Sequence, residues 1–164
     1  MWPEAGEKKC RRRRRGSAGQ STIELAVIIP MLLGLMAGAF EMGRLMYLDM
    51  AVNSAARAGV QYGAQSSGTA ADLAGMVQAA KDGAQDVSGS WWGGSSNFTA
   101  KAADFCQCAD GTASDCEPGD CSGQKQFTFV KVDTSAQFNA LTKFPGIPSS
   151  ITVQGSASMR VAGE

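Results

Sequence analysis

Four cysteines lie within 16 residues of one another in the C-terminal half of the chain, and a fifth, Cys10, lies in a basic N-terminal segment. The four are Cys106, Cys108, Cys116 and Cys121. Cys106 and Cys108 are only one residue apart, so we expect each to form a disulfide with Cys116 or Cys121, as in exported proteins. The alternative is a zinc site, but C-x-C-x7-C-x4-C is not a common zinc spacing.

Nothing else in the sequence forms a catalytic pattern. Histidine, the commonest general base, is absent, and there is no phosphate-binding loop or G-x-S-x-G motif. Four aspartates near the cysteines raise the question of calcium: Asp104, Asp110, Asp115 and Asp120. They lack the spaced loop ending in Glu that strong calcium sites contain. We therefore predict a protein that is not an enzyme and that uses no metal and no cofactor.

Glu24 is the charged residue with the most specific setting, because it opens an apolar run that extends from Leu25 to Phe40 without a charge. Ser21 precedes it by three residues, which is the spacing of a capping box at a helix N-terminus. The second interpretation is an assembly charge. An unpaired carboxylate is costly in apolar surroundings, so Glu24 would favour a neighbour that supplies a positive charge. The two roles are compatible.

The apolar run has the properties of a single membrane span near the N-terminus. Its 16 residues would give a helix of about 24 Å, and flanking residues can extend this toward the ~30 Å of a hydrocarbon core. Residues 1–19 carry seven Lys/Arg against two acids, a net +5, whereas residues 20–164 carry a net −5. The basic head predicts a cytoplasmic N-terminus and an exported C-terminal part. The acidic remainder argues against nucleic acid as a partner.

The helix is predicted to continue beyond the membrane to about Gly63. Apolar or small residues recur at steps of three and four and share one face: Leu45, Leu48, Val52, Ala55, Gly59 and Tyr62. Within the span, Pro30 removes one backbone hydrogen bond, which membrane helices tolerate. Two small-x-x-x-small pairs would allow close contact with another helix: Gly34 with Gly38, and Ala39 with Gly43.

The rest of the chain predicts a small α+β domain over residues 64–164. Thr69 is the expected N-cap of a second helix that runs to about Val87, and Trp91 and Trp92 follow in a loop. Alternating residues predict strands at 97–105, 126–132 and 150–161, with the cysteine-rich loop between the first two. Three strands in this order favour an antiparallel sheet crossed by a helix.

The segment from residue 19 to about 63 resembles the TadE-like family of tight-adherence (Flp-type) pilus systems. The matching residues are Gly19-Gln20, Glu24, Ala26, Pro30 with Met31-Leu32-Leu33, Gly38, Phe40 to Arg44, and Ala55 to Val60. The stretch from Gly19 to Glu24 is also similar to a prepilin cleavage site, with a basic leader, a Gly, and a Glu five residues after the cut.

This resemblance implies a minor pilin or pseudopilin, processed by a prepilin peptidase between Gly19 and Gln20. The domain plan is then a basic leader (1–19), a long helix (20–63) with a span at about 24–45, and an exported domain (64–164). The implied partners are the peptidase, other pilins or pseudopilins, the inner-membrane assembly platform and the bilayer. Cutting would give Gln20 a positive α-amino group, and Glu24 of a neighbouring subunit could pair with it.

Two other classes of protein fit the same residues. One is an uncut single-pass membrane protein whose exported domain binds a partner. The other is a secreted protein whose signal is removed near Ala39, where small residues follow the apolar run.

Overall fold

A computed structural model describes residues 18–85, 97–117, 119–141 and 148–162. The basic leader with Cys10, the predicted end of the second helix at Val87, and Trp91 and Trp92 lie outside these residues. The chain divides into two compact units, residues 1–37 and 38–164, which are described separately below. Within the described residues the elements are three helices and a four-stranded antiparallel sheet, so the predicted α+β class is confirmed.

Helix α1 spans Ala18–Gly63 and continues through Pro30. Its C-terminal part, within the second unit, buries Leu48, Val52, Ala55 and Gly59 and half-buries Leu45 and Tyr62. The stripe predicted from the helical period is therefore the face that packs on the rest of the domain.

Two short helices follow, where the sequence predicted one. Helix α2 spans Ser67–Ala71 and helix α3 spans Leu73–Gly83. The predicted N-cap at Thr69 is wrong, because Ser66 caps α2 and Thr69 is the third residue of a capping box with it. Asp72 then separates the helices, and its carboxylate accepts the Gly75 N–H at 2.9 Å as the N-cap of α3. A cap residue with non-helical backbone ends one helix and starts the next.

The sheet has the order β2-β1-β3-β4, and every neighbouring pair is antiparallel. Strand β1 spans Thr99–Cys108, β2 Ala113–Ser114, β3 Gln126–Asn139 and β4 Ser150–Arg160. Strand β3 is longer than the predicted 126–132, because its alternation of buried and exposed residues continues to its end. The short β2 lies inside the cysteine-rich loop and was not predicted.

One face of the sheet, called the inner face here, packs under the helices and forms the core. Strand β3 contributes Val130, Val132, Thr134, Ala136 and Phe138 to it, all buried. Two clusters result. The first joins Leu48, Val52 and Ala55 of α1 to Ala84, Ala136, Phe138 and Val153, and the second joins Val60, Ala64, Ala70, Met76 and Ala80 to Val130, Val132 and Val161.

Helix α1 approaches the sheet closely at Gly155. A Cβ added there would lie 3.1 Å from the backbone of Asn53. The buried Thr134 hydroxyl lies beside this contact, 2.9 Å from the Val52 carbonyl oxygen to which it donates and 3.2 Å from that of Gly155. Because buried polar groups are costly unless hydrogen-bonded, this bond fixes the position of α1 on the strands.

Candidate functional site

The first unit presents an apolar helix surface with nothing packed on it among the described residues. All of its large apolar side chains from Ile23 to Met36 are exposed, by 44% to 73%. Burying one such side chain is worth about 1.5–3 kcal/mol relative to leaving it in water. Over this many residues the sum is on the order of 20 kcal/mol, so the segment requires an apolar environment. Its helix is long and apolar enough to cross a membrane.

The structure places the predicted cleavage residues inside the helix. Since α1 begins at Ala18, Gly19 and Gln20 lie in its first turn. Ser21 is then not at the N-cap position, and the capping-box interpretation of Ser21 and Glu24 is wrong. Glu24 is exposed. Its position four residues after Gln20 places both on one face of the helix.

The small residues predicted for helix packing are accessible. A Cβ added at Gly34, Gly38 or Gly43 would meet nothing within 4 Å, and Ala39 is exposed. These positions therefore offer a surface on which a second helix backbone can approach closely. The glycines are not needed for contacts within the described part of the chain.

At the start of the second unit, Glu41 and Arg44 form a buried ion pair that the sequence analysis did not identify. Arg44 Nη1 donates to Glu41 Oε2 at 2.9 Å, and the two side chains are only 5% and 14% exposed. The Arg44 guanidinium lies 5.2 Å from the centre of the Phe138 ring. Glu41 Oε1 accepts the backbone N–H of Leu141 at 2.8 Å. We call these four residues the α1–β3 clamp.

The clamp joins the end of the apolar run to the end of β3. The sequence signal was a pair of opposite charges three residues apart, a spacing at which helix side chains meet. The sequence did not show which distant residues contact this pair, because Leu141 is 100 residues from Glu41. The Glu41 carboxylate and the Arg44 guanidinium neutralise each other, so the clamp is a structural site.

The four C-terminal cysteines form two disulfides, which supports the predicted pairing of each of the first two with one of the last two. Cys106 is bonded to Cys116, and Cys108 to Cys121. Cys106 and Cys108 are buried, and the Cys106 sulfur lies 3.7 Å from the Thr128 hydroxyl. Thr128 shares the orientation of Val130 along β3, so both disulfides attach the loop on the inner-face side of the sheet.

Two of the loop aspartates are used for hydrogen bonds within the loop. Asp110 Oδ1 accepts the hydroxyl of Thr112 at 2.7 Å and its backbone N–H at 2.9 Å, and these bonds lower the pKa of Asp110. Asp120 Oδ2 accepts the Asp115 N–H at 3.1 Å and lies 3.4 Å from the Ser114 hydroxyl. These carboxylates stabilise turns, and among the described residues no group of three or more acidic, Cys or His side chains is arranged to hold a metal ion.

Comparison with known proteins found one family match, over helix α1. Residues 19–61 match the family model described as TadE-like protein, which confirms the resemblance over that segment. The match begins at Gly19 and ends within two residues of the end of α1. Comparisons with curated proteins and with solved structures gave no significant match.

Proposed function

We propose that this chain is a minor pilin or pseudopilin-like component of Flp-type (tight-adherence) pilus biogenesis. The observation that carries the proposal is the agreement between the TadE-like match at 19–61 and one helix, Ala18–Gly63. The first part of that helix exposes an apolar surface, and its last part builds the core of an exported domain. A subunit that is stored in a membrane and then packed against other helices needs both parts.

In this proposal a prepilin peptidase cuts the chain between Gly19 and Gln20. Both residues lie in the first helical turn, so the peptidase must unwind that turn to reach an extended peptide bond. Glycine makes this easier, because it is the residue with the lowest helix propensity after proline. The cut removes a leader whose net charge is +5, and this leader keeps the N-terminus in the cytoplasm by the positive-inside rule.

After the cut, Glu24 is the assembly charge. The new α-amino group of Gln20 is positive, and a carboxylate in lipid favours a nearby cation. A neighbouring subunit supplies that cation when two spans lie side by side. The open surface at Gly34 and Gly38 lets the two helices approach. The partners are accordingly other pilins or pseudopilins and the assembly platform, the location is the inner membrane with a periplasmic domain, and no enzymatic activity is involved.

N-terminal sequencing of the chain from cells that contain a prepilin peptidase tests the cut. A start at Gln20 supports the proposal. A start at Met1 supports an uncut membrane protein with an exported binding domain, and a start near residue 40 supports a secreted protein. The Gly19→Ala variant should keep the leader and its larger mass. An unchanged fraction of cut chains in this variant would contradict cleavage at Gly19.

Replacing Glu24 by Gln tests the assembly charge, because it removes the charge and keeps the side-chain size. We expect normal cutting but loss of surface pili or of pilus-dependent adherence. The matched control is Asp49→Asn, which removes an exposed carboxylate elsewhere on α1 and should assemble normally. Normal piliation of the Glu24→Gln cells would remove the assembly role and leave the proposed processing unaffected.

A further inference from the structure

We propose that strand β4 of one copy of this chain pairs in parallel with strand β1 of a second copy, so that their two sheets join side by side. The inference deepens the proposed function by naming the surface between subunits, and it rests on that function for the setting, in which copies lie side by side in one bilayer. The two surfaces are called the β4 edge (residues 150–159) and the β1 edge (residues 99–105).

The β4 edge presents backbone groups that β3 does not use. Two bonds at the ends of β4 show which groups these are: the Val161 N–H donates to the Thr128 carbonyl oxygen at 2.9 Å, and the Ala140 N–H donates to that of Ser149 at 3.0 Å. Every second residue of an antiparallel strand bonds to its partner, so the odd-numbered residues of β4 bond to β3. The N–H and C=O groups of the even-numbered residues, from 150 to 158, therefore point away from the sheet.

The β4 edge lacks the features that usually protect an edge strand. Such strands are kept apart by charges, by proline, by bulges or by being very short. Residues 150–159 contain no charged residue and no proline, and the register with β3 is unbroken along β4. Among the described residues no other strand lies beyond β4. A groove of about 620 Å³ runs beside it, and Met46 and Met50 of α1 are exposed in its wall. An edge of this kind accepts a further strand.

The opposite side of the sheet offers a second free segment, the β1 edge. Strand β2 pairs with only two residues of β1, so among the described strands none covers residues 99–105. The Cys108 N–H donates to the Thr112 carbonyl oxygen at 2.9 Å, on the β2 side. By the same alternation, the even-numbered residues of β1 point their N–H and C=O groups to that side. Within the β1 edge these residues are Ala100, Ala102 and Asp104.

The two edges match when they are paired in parallel. Along β4 the inner-face residues are odd-numbered, such as the buried Val153, whereas along β1 they are even-numbered, such as Ala100 and Ala102, which pack against the core. In a parallel pair, a residue that bonds to the neighbouring strand lies opposite one that does not. Even-numbered residues of β4 then lie opposite odd-numbered residues of β1. Both belong to the face away from the core, so the helices of the two copies stay on the same side of the joined sheet.

The direction of the strands also favours this pairing. Within the second unit α1 and β4 run in the same direction, because Leu48 clusters with Val153 and Val60 clusters with Val161. Strand β1 runs with β4, since both are antiparallel to β3. Each chain enters the second unit at residue 38, so copies anchored in one bilayer must face it with the same end of that unit. Parallel pairing of β4 with β1 keeps this direction, whereas antiparallel pairing of two β4 strands would reverse one copy. Because the pairing uses different edges, it can repeat along a row of subunits.

The test uses the full chain, with its leader, in phosphatidylethanolamine–phosphatidylglycerol vesicles, where a shared bilayer raises the local concentration of the partner. Since the leader is present and no pilus is needed, the result does not depend on prepilin processing or on pilus assembly. A failure here would leave the proposed function standing, and a failure of that function would leave this contact testable.

In the experiment a photoreactive benzophenone side chain replaces Gln154, which is exposed on β4, and unlabelled and nitrogen-15-labelled chains are mixed before irradiation. We expect cross-linked peptides that combine the two isotopes and join position 154 to residues 99–105. The same probe in place of Gln61, exposed on α1, is the control and should give no cross-links to that segment. Cross-links from position 154 that are absent, confined to one isotope, or directed to another part of the chain would overturn the proposal.

Proline substitution tests which two edges meet. Ser158→Pro and Ala102→Pro each remove one outward N–H, at edge positions where proline is tolerated. Either variant alone should lower the cross-linking yield about tenfold or more, whereas Ser158→Ala and Ala102→Ser, which keep the N–H, should not. A mixture of the two proline variants should recover cross-links from the probe in the Ala102→Pro chain to the Ser158→Pro chain, since the first keeps its β4 edge and the second its β1 edge. No recovery, or full yield with Ala102→Pro alone, would contradict pairing of β4 with β1.

Hydrogen exchange in the unmodified chain tests the same contact without any substitution. The outward amides of Thr152, Gln154 and Ser156 should exchange about tenfold more slowly at high than at low chain density in the vesicles. The Val153 amide, which points to β3, should be protected at both densities. Equal exchange rates of the three outward amides at the two densities would overturn the proposal, whatever the proline variants do.

Discussion

Replacing Glu41 by Gln should destabilise the second unit by about 2–4 kcal/mol. The change removes the carboxylate that accepts from Arg44 at 2.9 Å, so a guanidinium that is only 5% exposed loses this charged partner. Breaking one side of a buried ion pair costs about 3–5 kcal/mol. We reduce this value because Glu41 is itself 14% exposed and because the Phe138 ring, 5.2 Å away, still stabilises the cation by roughly 0.5–2 kcal/mol.

Arg44→Met provides the second corner of a mutant cycle. We expect a smaller loss of about 1–2 kcal/mol, because Glu41 reaches water and keeps its bond from the Leu141 N–H. The variant with both changes should be less destabilised than the sum of the two, with a coupling of about 1–3 kcal/mol. Urea unfolding of the full chain in detergent micelles measures the free energies.

Amide hydrogen exchange at Leu141 gives the local readout. Its N–H donates to Glu41 Oε1 at 2.8 Å, so Glu41→Gln should speed exchange there more than at Val130, in the middle of β3. An effect of Glu41→Gln below about 0.5 kcal/mol, the range of ordinary surface changes, would refute the account of the clamp. Strict additivity of the two changes would also refute it, because it would mean that the charges do not interact.

Three further predictions concern the second unit. Gly155→Ala should destabilise the fold by about 1–3 kcal/mol in urea unfolding, because the new methyl group would lie 3.1 Å from the backbone of α1. Removing the Cys108–Cys121 disulfide by two Ser substitutions should cost about 2–3 kcal/mol by the same measurement, given the 13-residue separation. Asp72→Asn should lower the pKa of Tyr62, which the hydrogen bond to Asp72 raises, as phenolate absorbance will show.

The pH dependence of that last bond follows from the direction of the shift. A raised pKa means that the protonated tyrosine is favoured in the folded state, so the stabilisation is present below its ordinary pKa and is lost as the pH rises through the raised value. For Gly155→Ala the control is Gly34→Ala, whose methyl group would meet nothing. Equal effects of these two alanines would contradict the close approach of α1 to β4.

Local periodicity was enough to predict which faces are buried. Leu48 and Val52 lie on the core side of α1, as a period of 3.6 residues requires. Val130 and Val132 are buried in β3 while Phe127 and Phe129 are on the other side, as a period of two requires. These patterns depend only on the residues within one helix or strand, so a single sequence is enough to predict which face of that element is buried.

Features that depend on two distant segments were missed for the same reason. The clamp needs Phe138 and Leu141 to meet Glu41 and Arg44, and the sequence showed only the short-range half of it. At the start of the second helix the sequence predicted Thr69 as the cap, whereas Ser66 caps α2, and Ser and Thr are both favoured at N-cap positions. Local propensity did not distinguish them, and the hydrogen bond from Thr69 to the Gly63 carbonyl, which ties α2 to the end of α1, was not foreseeable.

The continuity of α1 has a mechanical consequence. Among the described residues, the chain passes from the exposed apolar segment to the core residues Leu48 and Val52 without leaving helix α1. A force that draws the segment out of lipid would act along the backbone hydrogen bonds of the helix. The same force would act as shear on the packing of Val52 and on the hydrogen bond from the Thr134 hydroxyl to the Val52 carbonyl oxygen. In the proposed pilus function, the resistance of residues 38–164 to forced unfolding, which is set by their unfolding rate, would therefore limit the force that can be applied to the helix during assembly.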